Sequence, residues 1–378
     1  MKEVYITKIS KYLPNDAIGN DEMERVLGQI NGKPSKARRI VLRNNGIKQR
    51  YYAINKEGEF THSNAELTQE AISELFDESF TENDMELLCC GTSTPDQLLP
   101  SHAAMVHGLL RNRNLEINSA SGICCAGMSS LKFGFLSVKA GGSNNAVCTG
   151  SERVSTRILA DIFKEEADVL LSLEELPIIA FKKEFLRWML SDGAGAMLLE
   201  NKKSDVGISL KIDWMESYSF AHELETCMYS GGEKLEDGSI KSWTEYSPKE
   251  WLEDSIFSIK QDVKILEEHV INKGVESMQM VFKKHAKDPS DLNYFLPHIS
   301  SNYFAQKLKD RIKEKGLPIP ESSWFTNLSK VGNVGSASVY LMLEELVSSG
   351  RLKKGDKIML SVPESGRFSY AYAHLTVC

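Results

Sequence analysis

Apolar and polar residues alternate through "EVYITKISKYLP" (residues 3–14), as expected of a strand buried on one face. Short apolar runs follow in "MELLCCGTST", "LEINSAS", "NAVCTGSE" and "AGAMLLE", and after residue 206 in "GISLKIDWMES", "YFLPH", "KIMLSV" and "SYAYAHLTV". Each predicts a strand. Between them, apolar positions recur at helical spacing over 64–76, 101–112, 126–139, 253–274 and 301–315, and "VYLMLEELV" predicts one more helix. Strands that alternate with helices imply sheets covered by helices. The pattern runs through twice, so two fused α/β halves are expected, 1–205 and 206–378. Residues 159–190 and 215–256 break the alternation and read as insertions, either surface elaboration or a cap over an active site.

Composition narrows the function. The chain has 378 residues, 42% hydrophobic, which is enough for a large core. A net charge of -7 argues against a general nucleic-acid binder. No stretch reaches the roughly 18 apolar residues of a membrane helix, and the N-terminus lacks the apolar run of a signal peptide. A cytoplasmic protein is expected. Seven cysteines with no C-x-x-C spacing suggest neither a disulfide framework nor a metal site. Cys124 and Cys125 are adjacent, and neighbours across a trans peptide lie about 3.8 Å apart, too close for a disulfide. They are therefore packed core residues, or one of them is a nucleophile. "LEINSASGICCAGMSSLKFGF" reads as strand, tight turn and helix, and a thiol in the first helical turn faces unpaired amides that favour thiolate and can hold an oxyanion. Such a thiol needs partners. His298 stands at the end of the strand-like "YFLPH", and Asn333 stands between glycine-bearing turns in "NLSKVGNVGSAS".

The segments "CCAGM", "LSDGAGAMLL", "FLPH" and "VGNVGSAS", in this order, resemble the thiolase-fold condensing enzymes, most closely the ketoacyl-ACP synthase III family, over almost the whole chain. The resemblance implies a thiolase-like α/β fold. It implies that Cys125, which directly precedes Ala-Gly, is the nucleophile, with Cys124 left to core packing. It matches His298 and Asn333 to the family histidine and asparagine, which donate to the enolate oxygen of the second thioester. It makes the amides of Cys125 and Gly366 the oxyanion hole for the acyl carbonyl. No tightly bound cofactor is implied. The substrates are CoA or phosphopantetheine thioesters, the partners an acyl carrier protein or acyl-CoA and a second copy of the chain in a homodimer, with no nucleic acid or membrane.

Departures from the family pattern shape the finer expectation. "PESGRF" places Glu364 and Arg367 where the family has glycines, either as a surface ion pair or as a recognition site for a polar second substrate. Glu152 is a candidate extra base or polar contact, or a partner of Arg153 or Arg157. Residues 33–50 carry Lys33, Lys36, Arg38, Arg39, Arg43, Lys48 and Arg50 without an acidic residue, and the resemblance favours Arg38, Arg39 and Arg43 as a docking face for CoA or carrier protein, extended by Lys307, Lys309 and Arg311. Leu99, in a loop resembling the one that closes the acyl pocket of a dimer partner, implies a longer acyl channel. Together these features suggest a specialised ketosynthase of the dialkylresorcinol, flexirubin or stilbene type, which joins a β-ketoacyl thioester to a second acyl thioester. The alternatives are a malonyl-ACP-dependent synthase III, an O- or N-acyltransferase, and a non-catalytic carrier-binding subunit.

Overall fold

The computed structural model describes residues 2–35, 37–167 and 185–378. Among them, nine strands form one mixed sheet: β1 (Tyr5–Tyr12), β2 (Leu87–Thr92), β3 (Glu116–Ser121), β4 (Asn145–Glu152), β5 (Gly193–Glu200), β6 (Leu210–Ser219), β7 (Tyr294–Pro297), β8 (Lys357–Glu364) and β9 (Ser369–Val377). Their spatial order is β7-β8-β9-β6-β1-β5-β4-β2-β3. One scheme is used twice. β1 pairs antiparallel with β5, β5 antiparallel with β4, and β4 parallel with β2; β6 pairs antiparallel with β9, β9 antiparallel with β8, and β8 parallel with β7. Between the two sets, β1 pairs with β6 at Tyr5–Lys211 and Ile6–Leu210, and the Ile212 amide donates to the Val4 carbonyl. The first set alone carries an outer strand, β3 beside β2.

β2 is buried at all six positions, because parallel strands are covered on both faces. This is why "LLCCGT" reads as a run and not as an alternation. The helix Cys125–Ala140 packs on β2, β3 and β4 and reaches β8 and β9, while Ser338–Ser348 packs on β1, β5 and β7. Both helices enter one core with strands of both sets. Ser338–Ser348 is buried on nearly every side, as its composition requires. The helices Asn64–Ser73, His102–Leu110 and Val263–His285 pack on the sheet outside this inner pair. The result is a thiolase-like α/β fold, as expected.

Close backbone approach sets the centre of the molecule. A Cβ on Gly127 would lie 2.2 Å from the Ser336 carbonyl oxygen, and one on Gly150 would lie 2.4 Å from it. These two glycines let the loop carrying Asn333 seat itself against the helix carrying Cys125.

The helix expected over 253–274 instead runs Val263–His285. Asp262 caps it by accepting from the Ile265 amide, and the preceding Lys260–Gln261 pair as a short strand with Met228–Tyr229. The apolar Ile256, Phe257 and Ile259 mimic helical spacing while belonging to that irregular approach. Residues 168–184 of the first expected insertion lie outside the described residues. The second folds as the end of β6, small hairpins and the helix Pro248–Glu253, held by a cluster of Trp243, Trp251 and Phe257 with ring centroids 5.6–5.8 Å apart.

Candidate active site

After β3, the chain turns through Gly122 and Ile123 into the helix, with Cys124 at its N-cap and Cys125 as its first residue. The Cys124 side chain makes no capping bond. Instead Glu364, the last residue of β8, supplies a carboxylate: its Oε2 accepts from the amides of Ile123 (2.8 Å) and Cys125 (2.9 Å). A carboxylate is well suited to the free amides and positive dipole of a helix start. The Cys125 thiol turns toward the Val362 carbonyl, 3.3 Å away, and is buried. Burial pushes this thiol well above its ordinary range, and the Glu364 charge and Cys124 add to the effect. The expected activation by the helix start is thus reversed, chiefly by burial, and the Glu364 carboxylate that already accepts from the Cys125 amide adds to it.

His298 directly follows β7 and extends its pairing by donating its amide to the Ser361 carbonyl (2.8 Å). Its ring is buried, and among the described residues Nε2 has no hydrogen-bond partner. Burial pushes the imidazole down to about 4, so the ring is neutral at physiological pH. Asn333 is fixed by its backbone, which donates to the Met189 carbonyl and accepts from the Ser191 amide, and by its Oδ1, which accepts from the Gly335 amide (3.0 Å). With the oxygen tethered, the NH2 group remains as the donor. Both side chains line one cavity, whose walls are the helices Val263–His285 and Asn302–Glu314 together with Met189 and Met228. Cys124 lines the same cavity, whereas Cys125 lines a separate depression with Glu364, Gly122 and Ser369. Cys124 packs against the main core cluster, as expected of it, and in addition borders this cavity. Consecutive residues at a helix start point about 100° apart, so the two thiols face different spaces.

A pH effect follows from His298. Its folded-state value lies below that of the unfolded chain, so the unfolded state binds more protons between about pH 6.5 and 4, and the stability this group contributes above 6.5 falls as pH drops through that window. The stability advantage of the parent over His298→Asn should shrink by about 3 kcal/mol from pH 7 to pH 4. Urea unfolding of both proteins at the two pH values measures it, and a pH-independent difference would show that the ring is not buried neutral.

Residues 282–372 match the sequence family described as 3-oxoacyl-[acyl-carrier-protein (ACP)] synthase III C terminal. The β-ketoacyl-[acyl-carrier-protein] synthase III of Rickettsia prowazekii is 26% identical over 356 residues, covering 94% of each chain, and that of Aquifex aeolicus is 22% identical over 357 residues with the same coverage. The chain is a β-ketoacyl-ACP synthase III-like condensing acyltransferase. Solved structures repeat the fold over nearly the full length. A tetronic acid condensing enzyme superposes with a TM-score of 0.75 at 19% identity, covering 99% of both chains. Xanthomonas campestris OleA, determined with lauric acid and lauroyl-CoA, superposes at 0.73 with 17% identity, again covering 99% of both.

The other expected site residues of this condensing enzyme fall in varied places. Glu152 is fully buried outside the cavity, and burial pushes its carboxyl up. Its oxygens accept from the Ser93 hydroxyl (2.6 Å), the Thr94 hydroxyl (2.8 Å) and the Ser336 amide (3.1 Å). Of the two expected roles, base or polar contact, its geometry is that of a polar contact: it holds the Asn333 loop from outside the cavity. Neither expected arginine pairs with it directly, since Arg153 bridges to Asp96 and Arg157 donates to Ser230. Gly366 lies near the helix start, where an added Cβ would come 3.0 Å from Ile123 Cδ1, and its carbonyl accepts from the Cys227 and Met228 amides. Arg367 is exposed and donates to the Leu224 carbonyl, so the surface ion pair with Glu364 is not formed.

Leu99 is 85% exposed and does not line the cavity. Of the basic segment, Arg38 is held by Glu24 (2.9 Å) and the Asn20 carbonyl, and Arg50 is buried against the Trp188 carbonyl. Arg39, Arg43 and Lys48 are exposed, while Lys36 lies outside the described residues. The helix Arg38–Asn45 abuts Asn302–Glu314, but there Lys307 bridges to Glu267, Lys309 stacks over Trp324, and Arg311 pairs with Glu314. The free positive face is therefore narrower than the sequence suggests. The capping role of Glu364 was not evident in the sequence; its only signal was a carboxylate in place of a glycine.

Proposed function

We propose that this enzyme loads an acyl group from a CoA or carrier-protein thioester onto Cys125 and condenses it with a second thioester whose enolate is held by His298 and Asn333. Residues 1–205 supply the cysteine, and 206–378 supply the other two. One observation carries the reading: a neutral, unpartnered His298 Nε2 and the oriented Asn333 amide line one largely apolar cavity, which Cys124, the neighbour of Cys125, lines as well. Two donors placed where enolate charge develops stabilise it without reorganisation.

The second thioester in this proposal is a β-ketoacyl one, of the kind that specialised dialkylresorcinol-type pathways consume. Its acidic methylene must lose a proton; Glu152 lies outside the cavity, so the base is His298 in the tautomer that carries no hydrogen on Nε2, which takes the proton and then donates the new N–H to the enolate oxygen. A malonyl donor, which loses carbon dioxide instead, is the alternative. Incubation with a panel of acyl thioesters followed by intact-protein mass spectrometry tests loading, and product analysis with each donor separates the two. A second assignment of the acceptor, Cys124, is favoured by its place in the same cavity.

Carrier docking involves Arg39 and Arg43. Neutralising both should raise KM for carrier-bound substrate several-fold at low salt and leave stability within about 0.5 kcal/mol, since exposed charges add little to folding yet steer acidic partners. Arg38→Ala differs, because it also loses the Glu24 bridge. Unchanged kinetics of the double variant with both CoA and carrier substrates would remove this role. The enzyme is further proposed to act as a homodimer, supported by the exposed edge strand β3 with Ile117 and by the exposed Leu98 and Leu99. Sedimentation analysis measures this directly.

A further inference from the structure

We propose that Glu364 is a positioning residue that holds Cys125 in a resting state, standing in for the acyl oxyanion until a thioester carbonyl displaces it. This rests on Cys125 as the acceptor. During loading, the Cys125 sulfur bonds to the acyl carbon, the carrier's carbon–sulfur bond breaks, and the thiol proton passes to the departing carrier thiolate. No oxidant or co-reactant is needed. Between these events, the carbonyl oxygen carries negative charge and needs an amide donor. The Cys125 amide is that donor, and Glu364 Oε2 already occupies it at 2.9 Å while also accepting from Ile123 at 2.8 Å. A carboxylate and an oxyanion cannot share one amide hydrogen.

The surroundings allow the side chain alone to move. Glu364 ends β8 and is half-buried, and the turn after it is anchored: the Gly366 carbonyl accepts from Cys227 and Met228, and Arg367 donates to Leu224. The titratable groups that act on Cys125 are Glu364, Cys124, Tyr370 and Tyr372. Burial pushes both phenols up and raises the Cys124 thiol, so these three stay neutral, and Glu364 is the carboxyl group that its two amide bonds place beside Cys125. Moving it away frees the amide and removes the charge that disfavours thiolate.

The test compares Glu364→Gln and Glu364→Ala with the parent, all carrying Cys124→Ala, by iodoacetamide labelling of the Cys125 peptide from pH 6 to 10 and by acyl loading from lauroyl-CoA. Gln keeps an oxygen for the two amides but lacks the charge, whereas Ala releases both. Both variants should label at lower pH than the parent, and a profile displaced by about one pH unit means roughly tenfold faster alkylation at pH 7.5. Loading should rise more in Glu364→Ala than in Glu364→Gln. A Cys125 profile that is the same in parent and variants overturns the proposal, and the near-isosteric Gln variant decides the question even if the Ala variant does not fold. If the profile moves but no variant carries an acyl group on Cys125, the assignment of the acceptor fails and the control of Cys125 by Glu364 stands.

Discussion

Proteins with His298→Ala or Asn333→Ala should still take up an acyl group and then condense it about 10²–10³ times more slowly. Loading needs a thiol and an oxyanion donor at the helix start, neither of which these side chains supply in the structure. Condensation needs the pair that lines the cavity, and loss of one preorganised donor in a water-poor site commonly costs about 3–4 kcal/mol in the barrier. Single-turnover assays on pre-acylated enzyme separate the steps. An Asn333→Ala protein that loses loading and condensation equally would contradict the assigned role. Where a β-ketoacyl donor is used, His298→Ala should be the more damaging of the two, because it removes a base as well as a donor.

The second large effect is expected at Glu152. Glu152→Ala leaves the half-buried Ser93 hydroxyl, the buried Thr94 hydroxyl and the buried Ser336 amide without their acceptor, and each unsatisfied buried group costs about 1–3 kcal/mol. The total loss should be at least about 3 kcal/mol in denaturant unfolding. Glu152→Gln keeps the volume but faces these donors with an NH2 group, so it should lose less and still loosen the Ser336 loop that presents Asn333. The sequence suggests a base that would serve a β-ketoacyl donor selectively. The buried network predicts otherwise: Glu152→Gln should slow condensation with β-ketoacyl and malonyl donors by the same factor. Selective slowing with the β-ketoacyl donor would show that Glu152 reaches the substrate.

What the sequence made legible was local order. Alternation in "EVYITKISKYLP", helical spacing over 126–139 and 301–315, and the small-residue turn ahead of Cys125 each reflect a constraint carried within a few residues, and the structure has β1, Cys125–Ala140 and Asn302–Glu314 there. Contacts between distant segments were not legible. Glu364 lies 239 positions from the amide it caps, and Glu152 lies 184 positions from Ser336. Nothing local to "PESGRF" or "GSERVS" indicates those partners. The same applies to the basic segment, where Arg38 and Arg50 look like Arg39 and Arg43 in sequence but are held by Glu24 and by the Trp188 carbonyl. His298 and Asn333, separate in sequence, line one cavity in the structure, and the side on which each cysteine lies could not be read from "CCAGM".

Covalent loading at Cys125 is the central claim, and peptide mapping of the acyl-enzyme tests it most directly. Parent, Cys124→Ala and Cys125→Ala proteins are incubated with lauroyl-CoA, digested, and the acylated peptide is sequenced by mass spectrometry. The expected result is an adduct on Cys125 in the parent and in Cys124→Ala, and none in Cys125→Ala. An adduct that survives in Cys125→Ala and vanishes in Cys124→Ala would contradict it and assign acyl transfer to the thiol that shares the cavity with His298 and Asn333.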